Sequence, residues 1–210
     1  MAIRVLVTAF GAFPGAPSNP TLGIVSQLER RWRTALALRG IDVRTAVLPV
    51  AYAGAEARVA ALVAAERPDA VLHLGLAGRR RGLTLETRAR NRLSVLHPDA
   101  AGARAGRLRV APGGPEIRRV RAPVARVVAA MARRGARTAP SIDAGDYLCN
   151  QTLYATLTGP TPVVTFLHVS RPANPRAPLR RTSGRMSIAQ MTKGVVAAVE
   201  ALALAARNGS

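Results

Sequence analysis

Ala70-Val71-Leu72-His73-Leu74-Gly75-Leu76 is strand-length and apolar at almost every position. A strand with one solvated face would alternate polar and apolar residues. A nearly unbroken run of this length is instead what a parallel strand buried on both faces requires. Working outward, Val43–Leu48 and Ile3–Ala9 upstream and Val163–Val169 downstream have the same character. Helix-length segments separate them. Asn19-Pro20 offers a cap followed by proline at the first helical position, then Val25, Leu28, Trp32 and Leu36 recur at helical spacing until Gly40. Tyr52–Glu66 is a second helix. Pro123 opens a third, which carries Val124, Val127, Val128 and Met131 and closes at Arg133-Arg134-Gly135. A short strand over Thr138–Ile142, the turn Asp143-Ala144-Gly145 and a short helix from about Asp146 to Leu157 follow. Ser187 and Gln190 form a capping box for a last helix with Ile188, Met191, Val195, Val199 and Leu202 on one face. Alternating strands and helices predict one α/β domain over residues 1–210. The expected architecture is a three-layer sandwich, with a mostly parallel twisted sheet and helices on both faces.

Two segments read differently. Gly82–Asn91 alternates, with Leu83, Leu85, Thr87 and Ala89 against Thr84, Glu86, Arg88 and Arg90, which suggests a strand or hairpin excursion. Residues 98–121 are rich in Gly, Pro and Arg and read as loop.

Composition narrows the function. Lys plus Arg total 31 against 11 acidic residues, a net charge of +20 that would fit a nucleic-acid binder. Lys193 is the only lysine, however, and the arginines are scattered through an Ala-, Gly-, Pro- and Val-rich chain with 3% aromatic residues. That pattern follows a G+C-rich coding bias and lacks the aromatic interleaving that stacks bases. Nucleic acid is therefore not expected as a partner. No stretch matches the roughly 20 uncharged apolar residues of a membrane span, and the N-terminus lacks a secretory signal, so a soluble cytoplasmic protein is expected. With a single cysteine, Cys149, no internal disulfide can form, which suits a reducing compartment. His73, His97 and His168 show no paired metal-ligand spacing, and a metal site is not expected.

In folds of this class ligands bind outside the carboxyl ends of the strands. Those ends carry Phe10 and Phe13, the Gly75–Arg81 turn, Glu86, Cys149 and His168. A thiol, an imidazole and a carboxylate are the set that nucleophilic acyl transfer needs. Cys149 falls in the first turn of a predicted helix, whose free N–H groups and dipole favour a thiolate and can form part of an oxyanion hole. Each residue also has a plainer reading: Cys149 as a small buried hydrophobe, His168 as a core histidine, Glu86 as a solvated strand residue or a partner of Arg88.

Gly145-Asp146-Tyr147-Leu148-Cys149-Asn150, followed by Tyr154, resembles the cysteine motif of the pyroglutamyl peptidase I family (pyrrolidone carboxylate peptidases). Val5–Pro20 is similar to that family's N-terminal motif, Gly75–Arg79 with Glu86 and Asn91 to its glutamate motif, and Phe166–Val169 to its histidine motif, all in order. The resemblance implies a homo-oligomeric (dimeric or tetrameric) cysteine peptidase that removes N-terminal pyroglutamyl residues from peptides without a cofactor. Carried over by position, Cys149 is the nucleophile, His168 the proton relay and Glu86 the orienting carboxylate. Phe10, Phe13 and Tyr147 match the positions that hold the lactam ring. The chain departs from the pattern at Ala12-Phe13-Pro14-Gly15, at Arg88 and Arg90, which replace apolar residues, and at Leu96, which stands where an oxyanion-stabilising arginine is expected. Alternatives are a catalytically impaired homologue that binds N-terminally blocked peptides and a basic nucleic-acid-binding protein.

Overall fold

The computed structural model describes residues 1–13, 16–173 and 185–209. In chain order the strands are β1 (Ile3–Phe10), β2 (Ile41–Leu48), β3 (Ala70–Leu76), β4 (Leu83–Glu86), β5 (Arg88–Arg90), β6 (Ile117–Arg119), β7 (Thr138–Ser141) and β8 (Val163–Val169). The helices are α1 (Pro20–Gln27), α2 (Arg33–Ala37), α3 (Tyr52–Glu66), α4 (Val124–Arg133), α5 (Leu148–Thr156) and α6 (Ile188–Asn208). Six strands form one sheet in the order β2-β1-β3-β8-β4-β7. The first four are mutually parallel; β4 runs antiparallel to β8, and β7 runs parallel to β4.

Strand alternation sorts side chains into two layers. Val5, Val7, Leu72, Leu74, Leu167 and Val169 pack with residues of α1, α4 and α6. Leu6, Phe10, Val71, Val164 and Phe166 pack on the other side with residues of α3 and α5. The expected α/β sandwich is thus in place, with β3 at its centre flanked by β1 and β8.

The ends of the helices follow from their residues. Asn19 Oδ1 accepts from the Thr21 N–H at 3.1 Å and Pro20 occupies the first helical position. Helix α1 runs through a π-helical stretch, Leu28–Trp32, into α2, and Gly40 at φ +70° ends it. The Ser187–Gln190 capping box opens α6. This helix has the length and apolar composition of a membrane span, but Met191, Val195, Val199 and Leu202 are buried in the core, as in an ordinary core helix.

Several ends shift by one or two residues (β1 runs on to Phe10, β2 starts at Ile41, β7 stops at Ser141 and α5 starts at Leu148), and two segments differ in kind from the sequence reading. The alternating stretch 82–91 breaks at Thr87 into β4, which joins the main sheet, and β5, which pairs with β6 in a separate two-stranded ribbon. β6 lies inside the segment expected to be loop. Its three residues carry no periodicity, so only the partner strand reveals it. The rest of that segment is tied down by buried side chains. Asn91 bonds the backbone of Ala111 and Gly114, and Asp99 accepts from the amides of Tyr52, Ala101 and Ala103.

Candidate active site

The register of three strands builds the site. Gly75 on β3 lies beside His168 on β8, and Thr84 on β4 lies across from His168 on the other side. Side chains two apart on a strand share a face, so Glu86 projects with Thr84 and reaches His168. Glu86 Oε1 is 2.8 Å from His168 Nδ1, and both side chains are buried. Burial alone would raise the Glu86 carboxyl above its ordinary range. The hydrogen bond and charge of His168 oppose it, helped by Ser141 and Arg80, and the net direction is downward. An ionised Glu86 can only accept, so Nδ1 carries the ring proton and Nε2 presents a lone pair. Arg80 Nη1 also meets Glu86 Oε1, at 2.5 Å.

Cys149 is the second residue of α5, in the turn whose amides have no intrahelical acceptor. Its position depends on Gly75. A Cβ there would lie 2.6 Å from Phe166 Cζ and 2.9 Å from Cys149 Sγ, closer than real contacts allow. Glycine thus lets the sulfur rest against β3, next to the strand position paired with His168. The neighbouring Asn150 fixes the start of α5 to β5. Its Nδ2 donates to the carbonyls of Arg90 and Arg92, and its Oδ1 accepts from the Arg90 N–H.

The helix start does not yield the thiolate expected from sequence. Burial, then the negative charge of Glu86, push the Cys149 thiol up to about 12; Arg80 and the residue's own amide act the other way but are outweighed. At neutral pH the Cys149 side chain is a thiol.

The three ring residues sit at different depths. The sequence ends the first strand at Ala9, but Phe10 is the last residue of β1 and only 4% exposed, part of the core on the α3/α5 side. Phe13, in the following loop, bridges to Ala16 and packs against that core, as do Tyr147 and Cys149. Tyr147 donates its hydroxyl to the Pro98 carbonyl at 3.0 Å and meets Tyr52 edge-on, with ring centroids 5.5 Å apart. Pro14 and Gly15 lie outside the described residues. Leu96 is 73% exposed, and its carbonyl accepts from Arg104 Nη1. Glu86 is not solvated, and its arginine partner is Arg80; Arg88 instead donates to the Ile142 carbonyl. Among the described residues no group of three or more His, Cys, Asp or Glu side chains could hold a metal. An apolar cavity of about 610 Å³, lined by Val59, Val63, Arg67 and Pro160, lies at the far end of α3 and α5 and shares no residue with the cluster.

Sequence reasoning missed three supporting residues. Arg80 was hidden in a run of three arginines that reads as solvated surface. Gly75 was visible as the start of the glutamate motif, but not as the residue whose missing Cβ leaves room for Cys149 Sγ. Asn150 was visible only as part of the cysteine motif.

Comparison with known proteins identifies the family. Residues 3–205 match the family model described as pyroglutamyl peptidase. The chain is 30% identical over 203 residues to the pyrrolidone-carboxylate peptidase of Thermococcus kodakarensis, covering 94% of this chain and 95% of that protein. It superposes on the crystal structure of the pyrrolidone carboxyl peptidase from Thermus thermophilus with a TM-score of 0.81 at 36% identity, covering 94% of this chain and 99% of the other. The structure of pyroglutamyl peptidase I from Bacillus amyloliquefaciens shares the fold, with a TM-score of 0.85 at 24% identity over 97% and 96% of the two chains. A match across nearly the whole chain, joined to a cysteine, histidine and glutamate gathered at the strand ends, places this protein in the pyroglutamyl peptidase family.

Proposed function

We propose that the chain hydrolyses the amide bond after an N-terminal pyroglutamyl residue of peptides, with Cys149 as nucleophile, His168 as acid and base, and Glu86 orienting the imidazole. The observation that supports this assignment is the 2.8 Å contact between Glu86 Oε1 and His168 Nδ1, beside the space that Gly75 leaves for Cys149 Sγ.

The protonated resting thiol shapes the mechanism. As Sγ attacks the pyroglutamyl carbonyl carbon, its proton passes to His168 Nε2 and the imidazolium gains the Glu86 carboxylate as counter-ion. Unpaired amides at the start of α5 face the developing oxyanion. The imidazolium then protonates the leaving amine and the C–N bond breaks. This releases the shortened peptide and leaves a thioester on Cys149. A water gives a proton to Nε2 and attacks the thioester. Pyroglutamate leaves, and the proton returns to sulfur. Phe10, Phe13 and Tyr147 wall the lactam, whose compact uncharged ring suits an apolar pocket with few polar contacts. A charged free N-terminus would be costly to bury there. In this reading residues 1–210 act as one domain, assembled as a homodimer or homotetramer, in a reducing cytoplasm that keeps the thiol free.

The test is release of a reporter amine from a pyroglutamyl amide by wild type and Cys149→Ala side by side. Wild type is expected to turn over and the variant to lose activity; a wild-type rate no higher than the variant's overturns the assignment. The exposed Leu96, in place of an expected cation, favours a second reading, an impaired homologue. Saturable binding of a pyroglutamyl peptide without turnover would establish it.

A further inference from the structure

We propose that Arg80 is a positioning residue for this hydrolysis, holding the Glu86 carboxylate charged and in place by bridging it to the turn that leads into α5. The proposal rests on the assignment of Cys149, His168 and Glu86 above.

The backbone delivers Arg80 to the site. Ala77 N–H donates to the Val169 carbonyl and Arg80 N–H to the Ala77 carbonyl, so a tight turn after β3 is anchored one residue beyond His168. From there the guanidinium reaches inward with two donors. Nη1 meets Glu86 Oε1 at 2.5 Å, and Nη2 bonds the Asp143 carbonyl in the turn before Tyr147 and Cys149. One side chain thereby contacts the strand that carries the orienting carboxylate and the segment that leads to the nucleophile.

The chemistry requires such a group. Glu86 is fully buried; His168 and Arg80 both meet its Oε1, while Oε2 makes no well-formed hydrogen bond among the described residues, and Ser141 is the one further polar group that supports the carboxylate. A neutral imidazole N–H alone compensates a buried carboxylate poorly. Arginine is always charged, and its planar fork can serve two acceptors at once. The cation also offsets the field that Glu86 exerts on Cys149, in the direction that favours the thiolate. Arg79 and Arg81, its neighbours, are exposed and serve as controls.

The experiment compares wild type, Arg80→Gln, Arg80→Lys and Arg79→Gln. It measures kcat and KM against pH on a pyroglutamyl amide, and the rate of Cys149 alkylation by iodoacetamide at pH 8. Arg80→Gln is expected to lose roughly 10–100-fold in kcat with KM little changed, the range set by a hydrogen bond to a charged group. Its acid limb in kcat/KM moves to higher pH because the carboxylate is easier to protonate, and alkylation slows because less thiolate is present. Arg80→Lys keeps the charge but loses the second contact, and falls between wild type and Arg80→Gln. Arg79→Gln behaves as wild type. Kinetics of Arg80→Gln within twofold of wild type overturn the proposal. So does a lower kcat with an unmoved acid limb and unmoved alkylation, which marks a merely structural role. If circular dichroism shows Arg80→Gln unfolded, Arg80→Lys decides: a severalfold loss with a shifted acid limb supports the bridge, and wild-type kinetics refute it. Absence of Cys149-dependent turnover in wild type is the separate failure of the peptidase assignment, and alkylation still reports on Arg80 in that event.

Discussion

The two faces of the central sheet are built from alternate residues of the same strands, yet they differ in kind. The face under α1, α4 and α6 is filled by Val, Leu, Ile, Met and Ala; of the polar side chains buried there, Thr21, Thr165 and Thr192 each bond a backbone carbonyl, and Thr138 Oγ1, beside Leu83, has no partner among the described residues. The face under α3 and α5 buries Thr8, His73, Glu86, Thr152, Thr156 and His168 among its apolar residues. Three polar atoms on that side, Glu86 Oε2, Gln151 Oε1 and Thr152 Oγ1, have no partner among the described residues. Burying a polar group costs stability when it is left without a hydrogen-bond partner. The first face therefore stabilises the sheet, and the second spends part of that stability on holding chemistry in fixed positions.

The sharpest way to break this division is at Gly75. Its missing Cβ is the space shared by the Phe166 ring and the Cys149 sulfur. Phe166 is fully buried and cannot swing away, so Gly75→Ala must displace the ring, the sulfur or the strand. A misplacement of about 1 Å at a reacting group can cost roughly 10²-fold in rate, and overpacking about 1–3 kcal/mol in stability. The variant is expected to show both losses in a hydrolysis assay and a denaturant titration. Wild-type turnover by Gly75→Ala would mean that activity does not depend on where this contact holds the Cys149 sulfur.

Leu72 lies three residues earlier on the same strand but faces the apolar side, fully buried. Leu72→Ala should cost about 2–5 kcal/mol in stability. It should leave kcat and KM unchanged where the variant is still folded, because its side chain packs in the apolar cluster on the opposite face of the sheet. A fall in kcat comparable to that of Gly75→Ala would show that the two faces are mechanically coupled and that the division is false.

The fold was more legible in the sequence than the site. Long apolar strands and capped helices carry their own signals: Tyr52–Glu66, Ala70–Leu76 and Val163–Val169 match the expected limits residue for residue. β6 carries no such signal, because three residues in a ribbon are ordered by their partner. At the site, Cys149, His168 and Glu86 were marked by chemistry and by family motifs. The thiol's ionisation differs from the sequence expectation because a helix terminus is local and readable, whereas desolvation of the sulfur and the proximity of Glu86 arise only on folding. Arg80 illustrates the same limit. In sequence it is equivalent to Arg79 and Arg81, and only the turn bonded to Val169 separates it from them.

The smallest expected effect tests the polar face away from the reacting atoms. His73 is fully buried between two threonines, with Nδ1 2.7 Å from Thr8 Oγ1 and Nε2 3.0 Å from Thr156 Oγ1. Thr156 already donates its hydroxyl proton to the Thr152 carbonyl, so it must accept from His73 Nε2–H. Nδ1 then accepts from Thr8, and the ring is held neutral. Burial accordingly pushes its pKa down to about 3 from an ordinary value of 6.5. The unfolded chain takes up a proton that the native state refuses. Stability from this group is therefore full above about pH 6.5 and falls by roughly 1.4 kcal/mol per pH unit as the pH drops toward 3. Glu86, whose pKa is lowered from 4.5, contributes in the same direction but only at lower pH, which leaves the interval down to about pH 5 diagnostic of His73. Across that interval wild type should lose roughly 2 kcal/mol in denaturant titrations. A His73→Gln variant has no imidazole to titrate and should show a flatter slope whatever its baseline stability, since both are compared with themselves at pH 7. Equal slopes would mean that His73 takes up its proton inside the fold, and that this half of the polar face stores less strain than its burial implies.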